Sequence, residues 1–163
     1  MLALHPAVLA DIPTLRELAR RIWWAHYPGI ISNGQIEYML GLMYSSDALE
    51  RQMAQEGVGF WLIRKAAGTP VGFAAVSQPG PGDYFLQKFY LEQIEQGKGL
   101  GTEAFHALLN CYPGAREFRL TVNRQNYKSI NFYFKVGFRI EKCIDVPIGH
   151  GFVMNDFQML WTR

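Results

Sequence analysis

A glycine-rich turn between an apolar strand and a helix is the feature that most limits how this chain folds. The strand ends at 88–91 (KFYL), and the turn covers 96–102 (QGKGLGT). The first N–H groups of a helix have no partner inside the helix, and the helix dipole adds partial positive charge at the same end. Glycines let a ligand approach this backbone closely, and Lys98 adds a full charge. The segment therefore predicts an anion site, and a pyrophosphate is its natural ligand.

Two well-known nucleotide motifs fit this turn poorly. A dinucleotide-binding turn needs G-x-G-x-x-G, whereas Gly97, Gly99 and Gly101 give G-x-G-x-G. A Walker loop needs G-x-x-x-x-G-K followed by Ser or Thr, but Lys98 is followed by Gly99, and Glu92 holds the upstream glycine position. These departures weaken the match of the turn to both motifs. A nucleotide-phosphate binder and a glycine turn without a ligand stay open as alternatives at this point.

Two spaced signatures carry a resemblance to a known family. The spacing Gln96-x-x-Gly99-x-Gly101 resembles the Q/R-x-x-G-x-G/A signature of the GNAT superfamily of N-acetyltransferases. Further along, 126–138 (NYKSINFYFKVGF) resembles that family's second signature, N-x-x-A-x-x-F-Y-x-x-x-G-F, with Ser129 at the usual Ala position. Each piece alone is also typical of a helix cap, a core aromatic or a helix stop. Together and in this order, they give a resemblance that spans at least 58–138.

The resemblance implies a cofactor and the residues that hold it. In that family, the glycine turn binds the pyrophosphate of coenzyme A, and the pantetheine arm lies where two parallel strands separate near a bulge. Acetyl-CoA is therefore the expected cosubstrate, with no metal. The N–H of Leu91 is the candidate that polarises the thioester carbonyl. The residues expected to bind the cofactor are Phe89, Leu91, Gln96, Gly97, Lys98, Gly99, Gly101, Thr102, Asn126 and Ser129.

Tyr133 resembles the general acid of the family, and the general base is left open. A free Tyr has a pKa of about 10 and a free thiol about 8.5, so the phenol keeps its proton at neutral pH and can protonate the departing thiolate. An alkylamine, with a pKa near about 10.4, is protonated at neutral pH and must lose a proton before it attacks. Several family members carry Glu where Gln87 aligns, and Gln cannot act as a base. The remaining candidates are an ordered water, Glu92, Glu95, Asp156 and His26.

The resemblance implies that the acceptor binds between the first two helices and the last strands. That region holds the aromatic, His and Met side chains Trp23, Trp24, His26, Tyr27, Tyr38, Met39, Met43 and Tyr44. Segment 149–156 is interpreted as a loop leading into the last strand, from which Asp156 meets a cationic amine. The pattern over 27–40 resembles a subgroup that includes polyamine- and small-amine-acetylating enzymes. The expected acceptor is therefore a primary amine of a small molecule, polyamine-like, or of a peptide.

Hydrophobic periodicity predicts the order of the elements. Strands are expected at 2–5, 58–65, 71–77, 84–91, 117–122, 138–145 and 152–161. Helices are expected after Asp11, after Ser32, and at 47–55, 99–109 and 129–136, with a loop at 78–83. This order predicts an α/β fold with a mixed central β-sheet of about seven strands and helices on both faces, and the resemblance implies that it is the GNAT fold. The length of 163 residues fits a single N-acetyltransferase domain over 1–163.

Charge and hydropathy narrow the range of partners. The formal charge is +2, from 16 basic and 14 acidic residues, which does not favour a nucleic-acid binder. No apolar run reaches the length of a membrane span, so we expect no membrane partner and a cytoplasmic protein. An exposed last strand offers an edge for pairing two subunits, so a homodimer is a further expectation. A catalytically silent acyl-CoA-binding sensor or interaction module stays open as the alternative function, favoured by Gln87 and disfavoured by Tyr133.

Overall fold

One mixed sheet with helices on both faces forms the molecule. The computed structural model describes residues 2–66 and 68–163. Its strands are β1 Leu2–Pro6, β2 Gly59–Lys65, β3 Pro70–Gly80, β4 Asp83–Leu91, β5 Glu117–Asn123, β6 Arg139–Gly149 and β7 Phe152–Thr162. Its helices are α1 Ile12–His26, α2 Asn33–Tyr44, α3 Ser46–Ala54, α4 Leu100–Cys111 and α5 Tyr127–Lys135. The strands lie in the order β1-β2-β3-β4-β5-β7-β6, which confirms the predicted fold class.

The sheet separates two apolar cores. Helices α1 to α3 cover one face, where Trp23 and Leu49 are buried, and α4 and α5 cover the other, where Phe105 and Ile130 are buried. Because side chains alternate along a strand, β3 supplies both cores, with Phe73 in the first and Ala74 in the second. The first core is called the α1–α3 core below.

The middle of the sheet separates into two parts. Strands β4 and β5 run parallel, and within the described residues their pairing covers only Asp83–Phe85 of β4 against 117–119 of β5. On the other side of β4, the register against β3 shifts: Lys88 pairs with Ala75, but Leu86 pairs with Val76. Gln87 is therefore the extra residue of a β-bulge. Beyond the bulge, β4 has a free edge that faces a gap, because β5 has diverged from it.

The C-terminal hairpin departs from the prediction. The segment 149–156 is not a loop, since β6 ends at Gly149 and β7 begins at Phe152. Asp156 lies inside β7, paired with Asn123 on one side and Ile144 on the other, and is buried. The last strand is also not an edge, because β7 lies between β5 and β6. The edge expected for subunit pairing therefore belongs to β6, and the homodimer stays a prediction.

Two smaller observations complete the fold. Strand β3 continues to Gly80 and β4 starts at Asp83, so the loop predicted at 78–83 shrinks to a two-residue turn. None of the helices in the described parts of the chain is long and apolar enough to cross a bilayer.

Candidate active site

A cavity of about 370 Å³ lies between the end of β4, the start of α4 and helix α5. We call it the donor cleft. Every residue predicted to bind the cofactor or act as the acid lines this cleft except Lys98 and Asn126. The lining residues from that prediction are Phe89, Leu91, Gln96, Gly97, Gly99, Gly101, Thr102, Ser129 and Tyr133. The two sequence signatures thus meet at one place in the fold, although they are far apart in the chain.

The glycine turn owes its shape to left-handed backbone. Gly97 has a φ of 79° and Gly99 a φ of 77°, a region that side-chain-bearing residues rarely adopt. A Cβ at either position would have no atom within 4 Å, so the space beside them is open. The first intrahelical hydrogen bond of α4 runs from the Glu103 N–H to the Gly99 carbonyl at 3.1 Å. The N–H groups of residues 100–102 precede that bond and face the open end of the helix.

Strand β4 turns backbone groups toward the gap. The Glu92 N–H donates to the Val71 carbonyl on the β3 side, at 2.9 Å. Successive residues of a strand direct their backbone groups to opposite sides, so those of Leu91 and Phe89 face away from β3, into the gap. The Gln96 side-chain amide donates to the Leu91 carbonyl at 2.9 Å. This bond fixes the glycine turn to the strand end and leaves the Leu91 N–H facing the cleft.

The positive charge of the donor cleft comes from helix α5. Lys98 does not line the cleft; its ammonium lies 3.6 Å from a carboxylate oxygen of Glu95 and is largely exposed. Lys128 and Lys135 line the cleft instead. Neither lysine was predicted from the sequence, although their spacing of seven residues on a helix places them on one face.

A second, smaller cavity of about 110 Å³ adjoins the donor cleft. We call it the acceptor cavity. Its walls come from α1, α2, β4, β5, the start of α5, and β7, and they include many of the aromatic and Met side chains expected there. The residues from that expectation are Trp23, Tyr27, Met39, Met43 and Tyr44. Phe89, Ser129 and Tyr133 line both cavities, so Tyr133 stands at their junction.

Burial keeps the phenol of Tyr133 protonated. The residue is 8% exposed, and burial, followed by the influence of Tyr27, raises the pKa of its phenol well above the ordinary value. A buried phenolate would lose its hydration, so the neutral form is favoured. The phenol at the junction therefore carries its proton over the whole neutral range.

Asn126 fixes helix α5 rather than lining the donor cleft. Its side-chain oxygen accepts from the Ser129 N–H at 3.3 Å and caps the helix that carries Tyr133. The same oxygen lies 3.1 Å from His26 Nε2. Asn126 lines the acceptor cavity, and His26 lines the donor cleft. Burial lowers the pKa of His26, so this imidazole is neutral at physiological pH.

The candidate bases differ in their bonding partners and in whether they line a cavity. Glu92 is bound by Arg21 at 2.6 Å and Glu95 by Lys65, and neither lines a cavity. Gln87 lines the acceptor cavity and donates to the Ser77 hydroxyl at 3.0 Å.

Asp156 is the one carboxylate on the described wall of the acceptor cavity. It is 4% exposed, and burial raises its pKa to about 6 against the opposing effects of a Thr121 hydrogen bond and of Arg124. A carboxyl group with this pKa is mostly ionised at neutral pH yet accepts a proton more readily than an exposed one.

Within residues 2–66 and 68–163, no group of three or more His, Cys, Asp or Glu side chains has a metal-binding arrangement.

Comparisons with known proteins agree with this geometry. The family model described as an acetyltransferase (GNAT) domain matches residues 1–139. A spermidine N(1)-acetyltransferase from Thermoplasma acidophilum is 29% identical over 139 residues, which cover 82% of this chain and 85% of that protein.

Solved structures show the same fold. The crystal structure of the PaiA N-acetyltransferase from Thermoplasma acidophilum, in complex with coenzyme A, superposes with a TM-score of 0.83 at 26% identity over 100% of this chain and 99% of that one. A spermidine N-acetyltransferase from Vibrio cholerae, in complex with CoA and spermine, gives a TM-score of 0.72 at 15% identity, covering 99% and 95% of the two chains.

Proposed function

The chain belongs to the GNAT acetyltransferase family, and from this premise we propose that it acetylates a primary amine of a small molecule or peptide. It is an N-acetyltransferase, and acetyl-CoA is its acetyl donor. The relatives that act on spermidine make polyamine-like amines the first acceptors to test. The observation that carries the proposal is the position of Tyr133, which lines both cavities where they meet.

The donor cleft fits the cofactor. Open space beside Gly97 and Gly99, the free N–H groups at the start of α4 and the lysines of α5 suit a diphosphate. The free edge of β4 suits the amide-bearing arm, which can pair with it as an added strand would. Acetyl-CoA supplies the activated acetyl group.

The residues of the chain divide the chemistry among them. We infer that Asp156 takes a proton from the acceptor ammonium, directly or through water, and the free amine forms the new C–N bond as the C–S bond breaks. The Leu91 N–H polarises the thioester carbonyl, where negative charge develops. Tyr133 gives its proton to the departing thiolate, and the second proton that the nitrogen loses as it becomes an amide restores the phenol, directly or through water. The transfer takes place in a ternary complex and forms no covalent bond to the enzyme.

A screen of acceptors tests the proposed function. Polyamines, amino acids, aminoglycosides and peptide N-termini are each supplied with acetyl-CoA, and release of free thiol is followed. We expect thiol release above the hydrolytic background with at least one small primary amine. Tight binding of acetyl-CoA without turnover of any acceptor would instead support the silent-sensor alternative.

Gly99→Ala is expected to weaken acetyl-CoA binding about tenfold. An L-residue in left-handed backbone costs roughly 1–2 kcal/mol, and relief of that strain distorts the turn that presents the α4 N–H groups. The dissociation constant is measured by calorimetry. Gly57→Ala is the matched control, because Gly57 has a φ of 65°, open space beside it and no contact with either cavity. Both variants should melt at lower temperature, but only Gly99→Ala should lose affinity; equal affinities would argue against the turn as the diphosphate site.

A further inference from the structure

The acceptor cavity holds two buried side chains of opposite charge. Lys88 on β4 is 6% exposed and Asp156 on β7 is 4% exposed, and both line the cavity. Among the ion pairs of the described residues, neither side chain takes part in one. Burying a charge without a counter-ion is costly, so each is expected to have a partner when the protein works.

The two charged side chains lie on different strands but project from the same face of the sheet. Tyr90, two residues after Lys88, and Met154, two residues before Asp156, both pack against the α1–α3 core. Because side chains two residues apart share a face of a strand, Lys88 and Asp156 project on that same face. Strand β5 lies between their two strands and has diverged from β4 at this level, so the backbones are more than about 10 Å apart, the distance that two strand spacings of roughly 4.8 Å would give. This separation suits an extended small molecule that contacts both charges better than it suits a direct salt bridge between Lys88 and Asp156.

The ammonium of Lys88 is held in place without a carboxylate at salt-bridge distance among the described residues; the charge of Glu56 acts on it only from farther away. It donates to the Gln52 side-chain oxygen at 2.6 Å, and Gln52 is in turn fixed by its bond to the Met43 carbonyl at 2.9 Å. The ammonium also lies 5.4 Å from the ring centre of Tyr44 and 5.3 Å from that of Phe60. These neighbours stabilise a cation without adding negative charge. An ammonium has three donors, and the Gln52 bond uses one of them.

Two further donors near Lys88 are poorly satisfied. The Tyr44 hydroxyl and the Trp23 indole N–H are buried, and within the described residues neither makes a hydrogen bond of ordinary geometry; their weaker polar contacts are with each other and, for Tyr44, with Tyr90. Both side chains line the acceptor cavity. This corner therefore has donors left over.

From this arrangement we propose that the preferred acceptor carries an anionic group, such as a carboxylate, in addition to its primary amine. Asp156 receives the amine, and Lys88 receives the anionic end. The inference rests on the proposed function and deepens it by naming a substrate class. A molecule with a second ammonium would place it beside Lys88, where like charges repel, so polyamines should be poorer acceptors than amino acids of the same length.

Three acceptors of equal chain length test the proposal. They are 5-aminopentanoate, 1-aminopentane and 1,5-diaminopentane, which differ only in a terminal carboxylate, methyl or ammonium group. We expect kcat/KM for the carboxylate to exceed that for the diamine by at least about tenfold, with the alkylamine between them. A diamine that equals or exceeds the carboxylate overturns the proposal and leaves the proposed function standing. Failure of these three and of every other amine would overturn the proposed function itself.

The variant Lys88→Met tests whether the preference for the carboxylate-bearing acceptor depends on this one residue. Methionine fills a similar volume without the charge, so the ratio of kcat/KM between the carboxylate and the alkylamine should fall to within about threefold of one. Lys142→Met is the matched control, because Lys142 is exposed on β6 and its loss changes only the overall charge. Melting temperature and acetyl-CoA affinity show whether each variant is folded. An unchanged ratio in folded Lys88→Met overturns the assignment, and the wild-type ranking tests the proposal even if the variant does not fold.

Discussion

Replacing Tyr133 with Phe is expected to lower kcat by about 100-fold or more, the usual range for losing a general acid. The phenol lies at the junction of the two cavities and keeps its proton because burial raises its pKa. Phe retains the ring and its packing against Phe132 and Phe138, so the dissociation constant for acetyl-CoA should stay within about threefold. Pre-steady-state measurement of thiol release, together with calorimetry, separates the two quantities.

Tyr112→Phe is the matched control for that result. Its hydroxyl accepts a hydrogen bond from the Trp61 indole at 2.8 Å and lines neither cavity. Losing it leaves a donor unpaired and should lower stability by roughly 1 kcal/mol or more while kcat holds. If Tyr133→Phe turned over at the wild-type rate, the thiolate would be leaving without help from this phenol, and the assignment of the acid would be wrong.

Asp156→Asn is expected to lower activity and raise stability at the same time. Burial raises the pKa of Asp156 to about 6 in the folded chain, above the value of about 3.9 in an unfolded one. The folded state thus favours the protonated form, and this contribution to stability is full below about pH 4 and is lost as pH rises through about 6. At pH 7, the ionised carboxylate costs on the order of 3 kcal/mol, at 1.36 kcal/mol per pKa unit. Asn cannot ionise, so the variant should be more stable than wild type at pH 7 and similar to it at pH 4.

Activity should change in the opposite direction. Because the ionised carboxylate accepts the proton, wild-type kcat/KM should rise with pH through about 6, and Asp156→Asn should lose about 100-fold near neutrality together with that rise. Urea unfolding and pH–rate profiles measure the two effects.

Glu141→Gln is the control of opposite sign, because hydrogen bonding to Arg119 and Gln158 lowers the pKa of that surface carboxyl, which lines neither cavity. It should gain no stability at pH 7 and keep its activity. A variant at 156 with wild-type turnover would show that another group or a water removes the proton.

Local sequence patterns explain why most of the residues predicted for the donor side line one cleft. The glycine turn and the helix that carries Tyr133 each depend on contacts within a few residues, so their spacing is visible in the chain. Lys98 shows the limit of that argument. The sequence places its charge in the turn, but the direction of its side chain depends on Glu95, which the spacing alone does not reveal.

The acceptor side was harder to predict because long-range pairing decides it. Gly149 and Gly151 suggest a loop, yet they only flank the turn at His150, and the strand resumes at Phe152. Asp is disfavoured in strands, and Asp156 is held there by pairing with β5 and β6. Likewise, nothing beside Lys88 in the sequence indicates that Gln52 and Tyr44 will enclose it.

The short parallel seam between β4 and β5 has a mechanical consequence. Only three residue pairs join β4 to β5 within the described chain, so the β1–β4 and β5–β7 halves of the sheet are held together at one end of this seam and are apart at the other. A ligand bound at the open end contacts both halves of the sheet and links them. We therefore expect donor binding to stiffen the sheet across this seam, and the acceptor cavity, whose walls belong to both halves, to reach its working dimensions only after the donor has bound.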